Sequence, residues 1–429
     1  MDYIILPPDE LNEIAVDLPL SKSVSNRVLI ISALTPGAAP LPELAECDDT
    51  RAIIDALSDS DRQEVKVGAA GTAMRFLTAF FARQEGRSVV LDGSERMRNR
   101  PISPLVDALR KLGADIEYVG KEGYPPLKIN GKRLAGGEVE VDASVSSQFI
   151  SALMMIAPTM EQGLTLRLSG DVVSAPYIVM TLRLMEQAGV EADFVGGNLV
   201  TVKSGAYRPA RFEVDADWSA AAFWMEIAAL STSEFDLRRI SPKSLQGDCA
   251  AAGFFEMLGV VTEETDEGIH VSPSPEMHAR LNINLSENPD LAQPLAVTAC
   301  LLGVPFRFAG LSTLRDKETD RLAALVNELS KLSFDLEIDD DALVWEGYRR
   351  PVDADIITID TYSDHRMAMS FAPVAIYAPG IIVRDVEVVS KSYPDYWNHL
   401  VEAGFNLIDP AELVGRKNDE EAEVEEAEE

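Results

Sequence analysis

The sequence predicts an α/β protein built from repeated subdomains and divided between two domains. Three observations carry this expectation. The chain has 429 residues, and single hydrophobic cores stop growing at roughly 250–300 residues. A local pattern recurs in which an amphipathic helix ends on a small residue and leads into a short alternating strand: residues 109–113 lead into 114–118, and 186–189 into 190–194. The turn positions are Gly113, Gly189, Gly259, Ser333 and Gly404, at intervals of 76, 70, 74 and 71 residues. Common helix endings can coincide, but not readily at so even a spacing, which points to an internal repeat of about 72 residues. A unit of that length holds two helices and several strands, which suits a layered α/β subdomain rather than a solenoid turn. A segment ending near Leu57 supplies a shorter first copy, giving about six units in all.

Composition narrows the function. Residues 1–20 lack the charged-then-apolar order of a signal peptide, and no uninterrupted apolar run is long enough to cross a bilayer, so a soluble, cytoplasmic protein is expected. Cys47, Cys249 and Cys300 lie far apart with no CxxC spacing, and His270, His278, His365 and His399 show no HExxH-like pairing. Neither a disulfide framework nor a metal site is expected. A formal charge of −33 argues against nonspecific nucleic-acid binding, because phosphate backbones are held by basic surfaces. An anionic small substrate would need a local basic pocket. Residues 416–429 are dominated by glutamate and are expected to form a disordered, solubilising tail.

The candidate motifs sit at helix starts. Ser21-Lys22-Ser23-Val24-Ser25-Asn26-Arg27 precedes the apolar run 28–34; backbone N–H groups and the helix dipole there attract phosphate or carboxylate, and Lys22 and Arg27 add charge. The small residues of Gly68-Ala69-Ala70-Gly71-Thr72-Ala73-Met74-Arg75 allow close approach to a ligand or tight packing before the run 76–81. Arg96-Met97-Arg98-Asn99-Arg100-Pro101 places three guanidinium groups in five positions, directly before a proline-started helix. Ser144-Val145-Ser146-Ser147-Gln148-Phe149 follows the alternating strand 138–142 and offers hydroxyl and amide partners to a polyol. Asn288-Pro289-Asp290, Lys317-Glu318-Thr319-Asp320-Arg321, Asp364-His365-Arg366 and Ser390-Lys391-Ser392 continue the theme.

Each motif alone reads equally as an N-cap or a charged first turn. Their spacing separates the two readings: Ser146, Ser219, Asp290 and Asp364 lie 73, 71 and 74 residues apart. Repeated subdomains would aim equivalent helix N-termini, with their basic and carboxylate residues, at one place. The expectation is a cleft for a multiply anionic ligand.

Taken in order, Ser-Lys-Ser-x-Ser-Asn-Arg (21–27), Gly-Thr-Ala-Met-Arg (71–75), Arg-Met-x-x-Arg-Pro-Ile (96–102), Ser-x-Ser-Ser-Gln-Phe (144–149), Lys-Glu-Thr-Asp-Arg-Leu (317–322) and Asp-His-Arg-Met-Ala-Met (364–369) strongly resemble the 5-enolpyruvylshikimate-3-phosphate synthase family, over about residues 18–400. The resemblance implies two inside-out α/β barrel domains, each of three βαβαββ repeats, with a hinged interdomain cleft. The N-terminal domain would span 19–215, and the C-terminal domain 1–18 plus 216–415. It implies that shikimate 3-phosphate is held by Lys22, Ser23, Arg27, Ser146, Ser147, Gln148, Ser174, Tyr177, Asp290 and Lys317, and phosphoenolpyruvate by Lys22, Gly71, Arg100, Gln148, Arg321, Arg366 and Lys391. Asp290 would be the base on the 5-hydroxyl, and Glu318 with Lys22 would manage the proton at the methylene carbon. No metal, nucleotide cofactor or covalent intermediate is implied. A monomer acting on two small molecules, with no nucleic-acid or membrane partner, is expected.

Four positions depart from the family's usual pattern: Leu20 where glycine is common, Ala69 for asparagine, Phe76 for proline and Thr313 for asparagine. The sibling enzymes that use UDP-N-acetylglucosamine usually carry a cysteine in the loop corresponding to 94–100, and this loop has none. A binding protein that had lost turnover would be expected to lack Asp290, Glu318 or Lys22; all three are present.

Overall fold

The computed structural model describes residues 1–351, 356–378 and 380–410. The expected acidic tail, 416–429, lies outside the described residues. Strands β1 (Tyr3–Leu6) and β2 (Ile14–Asp17) precede helices α1 (Lys22–Leu34) and α2 (Asp48–Ser58). A first unit follows as β3 (Glu64–Lys66), α3 (Gly71–Ala82), β4 (Ser88–Asp92), α4 (Ser103–Lys111), β5 (Asp115–Tyr118) and β6 (Leu127–Asn130). The same order recurs in β7 (Gly137–Asp142), α5 (Ser147–Ile156), β8 (Leu164–Ser169), α6 (Ala175–Gln187), β9 (Ala192–Val195) and β10 (Leu199–Val202). Next come α7 (Trp218–Leu230), β11 (Phe235–Arg238), α8 (Ala251–Glu256), β12 (Val260–Glu264) and β13 (Gly268–Pro273). Another full copy runs β14 (Leu281–Asn284), α9 (Ala292–Leu302), β15 (Phe306–Ala309), α10 (Arg321–Lys331), β16 (Glu337–Asp339) and β17 (Ala342–Trp345). The described chain closes with β18 (Ile357–Ile359), α11 (His365–Phe371), β19 (Ile381–Val383), α12 (Tyr396–Glu402) and β20 (Asn406–Ile408).

Among the described residues, five open four-stranded sheets share one plan, seen in the orders β3-β4-β6-β5, β7-β8-β10-β9 and β14-β15-β17-β16. The first two strands of a unit pair parallel and the rest antiparallel. The parallel pair is spanned by a helix, as its crossover demands. N-terminal strands complete the other two sheets. β2 lies parallel to β11, with Ile14 beside Phe235 and Asp17 beside Arg238, and so takes the first place in its sheet. β1 takes the fourth place of the last sheet, antiparallel between β19 and β20.

The expected copy ending near Leu57 contributes α1 and α2 but no sheet of its own among the described residues. Its connection holds Pro36, Pro40 and Pro42, which cannot donate to a strand ladder. The helix expected directly after Pro101 begins instead at Ser103, with Pro104 in its first turn, the one turn where proline costs no hydrogen bond.

The repeat's turn positions share one backbone conformation, with φ of +104° at Gly113, +77° at Gly189, +83° at Gly259 and +105° at Gly404. Glycine adopts this left-handed region at least cost; Ser333 adopts it without that help, at +70°. Within a unit the two helices differ. All of α3 and of α11 is buried, and α5, α7 and α9 are nearly so; the apolar residues that surround α5, α7 and α9 require it. By contrast α4 buries one stripe, Leu105, Val106, Ala108 and Leu109. The buried apolar side chains form two large clusters. One runs from Val24 to Phe212, and the other joins Ile5, Val16 and Leu18 to residues between Ala216 and Phe405.

Candidate active site

One pocket gathers the beginnings of eight helices. Its lining includes Lys22 and Ser23 of α1, Gly71 of α3, Ser146 and Ser147 at α5, Ser174 before α6, Ser219 in α7, Asp290 before α9, Arg321 of α10 and Arg366 of α11. The equivalence read from the 73, 71 and 74 residue spacing therefore has a spatial counterpart: Ser146, Ser219 and Asp290 line the pocket, and buried Asp364 grips the lining residue Arg321 from behind. Local chemistry sets each start. Ser21, Ser146, Asp217 and Asp364 cap their helices by accepting from Val24, Gln148, Ser219 and Arg366 backbone N–H groups. Ser174 stands in the left-handed region at φ +55°, and its N–H donates to the Ser286 carbonyl at 2.8 Å.

Arg321 is the hub. Its Nη1 donates to Asp290 Oδ1 at 2.7 Å, Nη2 to Glu318 Oε2 at 2.9 Å, and Nε to Asp364 Oδ2 at 2.6 Å. The guanidinium is 2% exposed; burial opposes its charge, yet Asp364, Glu318 and Asp290 raise its pKa above the ordinary value. Asp290 also meets Lys317 Nζ at 3.5 Å and Arg366 Nη2 at 3.2 Å. Burial favours its neutral form, but Arg366, Lys317 and Arg321 hold its carboxyl well below the usual carboxylate range. Glu318 accepts from Lys391 Nζ and lies 4.0 Å from Arg100 Nη1. Against the same burial penalty, Lys391, Arg321 and Arg100 hold it well below that range too. Lys22 lies 3.9 Å from Asp49, which overcomes burial and raises its pKa.

Two further guanidinium groups of the pocket, Arg27 and Arg75, have no ion-pair partner among the described residues. Arg27 spends its donors on neutral oxygens: Thr181 Oγ1 at 2.7 Å, the Ser23 carbonyl at 2.8 Å and Ser151 Oγ at 3.0 Å. Phe76 packs beneath it, the ring centroid 5.3 Å away, so the residue that replaces the family's proline supports this cation. Burial lowers the Arg27 pKa to about 10. Arg75 donates to the Gly71 carbonyl at 3.1 Å, and burial beside Arg100 lowers its pKa well below the ordinary value. Seven cations against five carboxylates line the pocket, a local reversal of the charge of −33 on the chain. Gln148 Nε2 donates to Thr72 Oγ1 at 3.2 Å, while Tyr177 lines the wall, its phenol pushed well up by burial.

Every residue expected to contact substrate lines this pocket except Lys391, which reaches it through Glu318. Of the departures from the family pattern, Thr313 lines it with a buried, unpartnered Oγ1, whereas Leu20 packs with Ala45 and Cys47, and Ala69 is exposed. Sequence reasoning passed over Asp49, Arg75, Asp217, Asp248 and His365 as site residues. Asp248 contacts Ser219 Oγ, and burial and neighbouring Asp290 push its pKa up to about 6. His365 is held neutral by burial and by Lys22 and Arg366. Arg75 and His365 lie inside motifs already singled out, and Asp217 stands two residues before Ser219 in the repeat; Asp49 and Asp248 carried no such signal. Among the described residues, no group of three or more His, Cys, Asp or Glu side chains could hold a metal ion.

A family model described as EPSP synthase (3-phosphoshikimate 1-carboxyvinyltransferase) matches residues 58–400. The chain belongs to the EPSP synthase family. That family catalyses enolpyruvyl transfer from phosphoenolpyruvate to shikimate 3-phosphate in the shikimate pathway. A 3-phosphoshikimate 1-carboxyvinyltransferase of Bacteroides fragilis is 46% identical over 409 residues, covering 95% of this chain and 99% of the relative. One from Photobacterium profundum is 37% identical and covers 94% and 99%. An EPSP synthase structure from Acinetobacter baumannii superposes with a TM-score of 0.75 at 22% identity, over 95% of this chain and 100% of that one. At that identity the superposition speaks for the fold, while the family model and the relatives speak for the EPSP synthase chemistry.

Proposed function

We propose that the pocket lies between two inside-out α/β domains, 19–215 and 1–18 plus 216–415, each of which supplies half of a cleft that holds both substrates. The division is supported by the two apolar clusters and by a lining drawn from both. Contacts cross the boundary: Arg96 Nε donates to the Glu318 carbonyl at 2.8 Å, Arg239 grips Glu43, and Ser390 Oγ donates to Asp48 at 2.6 Å. Closure of the halves would exclude water from the site. The protein is proposed to work as a cytoplasmic monomer without a nucleic-acid or membrane partner. Among the described residues no helix is long and apolar enough to cross a membrane.

Lys22, Ser23, Arg27, Ser146, Ser147, Gln148, Ser174, Tyr177, Asp290 and Lys317 would hold shikimate 3-phosphate. Lys22, Gly71, Arg100, Gln148, Arg321, Arg366 and Lys391 would hold phosphoenolpyruvate. The single observation that carries this allotment is the gathering of seven cations in one pocket beside the hydroxyl and amide groups of Ser146, Ser147 and Gln148, since phosphate and carboxylate call for cationic donors and a ring polyol for neutral ones. In the reaction the 5-hydroxyl oxygen adds to C2 of phosphoenolpyruvate while C3 gains a proton. The tetrahedral intermediate then breaks its C–O bond to phosphate and C3 returns the proton. Asp290 accepts the hydroxyl proton, Glu318 and Lys22 handle the proton at C3, and the arginines stabilise the departing phosphate. Arg366, Lys317 and Arg321 make Asp290 a weak base. Bound anions give Arg321 and Arg366 new counter-charge, which relaxes their hold on Asp290 and raises its basicity.

Gly71 tests the allotment. A Cβ there would stand 2.8 Å from Arg100 Nη1 and 3.1 Å from Arg75 Nη1, so Gly71→Ala displaces Arg100. The expected result is a phosphoenolpyruvate KM raised about tenfold or more, on the scale that small misplacements of site groups produce. The shikimate 3-phosphate KM should change little. A rise confined to shikimate 3-phosphate in steady-state kinetics would contradict the assignment.

A further inference from the structure

Residues 361–364 form a tight turn in which Asp364 N–H donates to the Thr361 carbonyl at 2.9 Å. Its two central residues, Tyr362 and Ser363, both sit in the left-handed region at φ +55° and +56°. Neither is glycine or asparagine, and two such residues in succession persist only where the surroundings impose them. The turn launches α11, and so determines where Asp364 and Arg366 stand. Asp364 in turn orients the Arg321 fork.

Glu328, a fully buried side chain of α10, is bonded to the turn and to the residue that leads into it. Its Oε1 accepts from the Tyr362 hydroxyl at 2.7 Å. Its Oε2 accepts from the Asp360 N–H at 3.0 Å and from Lys331 Nζ at 2.6 Å. Lys331 Nζ also donates to the Thr358 carbonyl at 3.0 Å and to Asp360 Oδ2 at 2.8 Å, so the entire approach to the turn is tied to α10. Glu328 lies seven residues beyond Arg321, which places both on one helix face about 10 Å apart along the axis. One helix thus grips the 358–366 segment twice, by Arg321 on Asp364 and by Glu328 on the turn before it.

We propose that Glu328, acting through the Tyr362 hydroxyl, is a positioning residue that sets the placement of Asp364, Arg321 and Arg366 and hence the affinity for phosphoenolpyruvate. The inference rests on the proposed roles of Arg321 and Arg366. Its test uses the full chain and four variants, Tyr362→Phe, Glu328→Ala, Glu328→Gln and Arg366→Gln, with both KM values, kcat and thermal melting measured for each. Tyr362→Phe and Glu328→Ala should raise the phosphoenolpyruvate KM about fivefold or more while changing the shikimate 3-phosphate KM less than about twofold, because displaced groups act on one substrate. Glu328→Gln keeps an acceptor for the turn and should restore most of the loss. A merely structural role would lower the melting temperature and leave the KM split unmoved, which overturns the proposal. If Glu328→Ala does not fold, Tyr362→Phe, which removes a single oxygen, decides. An unchanged phosphoenolpyruvate KM in Arg366→Gln would overturn the site assignment and this inference together; a rise there with none in Tyr362→Phe overturns this inference alone.

Discussion

Asp290→Ala is expected to fold, to bind shikimate 3-phosphate within a few-fold of the parent, and to lose about 10³-fold in turnover, the scale that a positioned acid or base supplies. Binding survives because Arg366, Lys317 and Arg321 lose a competing carboxylate and are left freer to face the substrate anions. Turnover falls because the proton on the 5-hydroxyl loses its acceptor. Calorimetric titration with shikimate 3-phosphate and single-turnover kinetics separate the two effects. A folded variant with full activity would refute Asp290 as the base.

The second large effect is on stability. Arg321→Met removes the one group shared by Asp290, Glu318 and Asp364. It leaves three carboxylates facing one another in a largely water-excluded place, and breaking a buried pair in this way costs about 3–5 kcal/mol. The pH dependence distinguishes this cause from lost packing. In the parent, the folded-state pKa values of Asp290 and Glu318 are depressed; their contribution is present above the unfolded carboxylate pKa of about 4 and is lost as pH falls through the folded values. In the variant, mutual repulsion raises the folded pKa values, so acidification from pH 7 towards 5 should recover stability. Chemical denaturation of both proteins across that range should show the deficit shrinking with acid. A deficit independent of pH would point to packing instead.

Much of the fold was legible because its periodic features are local. The turn after each unit's amphipathic helix requires a left-handed residue, and glycine advertises that at Gly113, Gly189, Gly259 and Gly404; the spacing recovered Ser333, which does not advertise it. The roles of β1 and β2 were less legible. Nothing in Tyr3–Leu6 says that it will lie between strands formed some 380 residues later, because strand pairing over that distance leaves no local pattern. The expected first copy is of the same kind, since helices α1 and α2 carry the amphipathic signal of a repeat while no sheet of their own is present among the described residues.

At the site, residues at helix starts were readable because a cation or hydroxyl there stands out against an acidic chain. Lys22, Arg27, Arg321 and Arg366 are of that sort. The residues that were passed over act through partners. Asp49 is one acid among many in the sequence and matters because Lys22 folds against it. His365 lies inside a motif that was recognised, but its neutrality depends on the surrounding cations. Glu328 reads as an ordinary helical glutamate until the turn it holds is placed against it.

The measurement that tests the account most directly is phosphate release from phosphoenolpyruvate by the purified protein, alone, with shikimate 3-phosphate, and with UDP-N-acetylglucosamine as the comparison acceptor. The account predicts release that depends on shikimate 3-phosphate and is absent with the other acceptor. Release with UDP-N-acetylglucosamine, or none with either from protein shown to be folded, would contradict it.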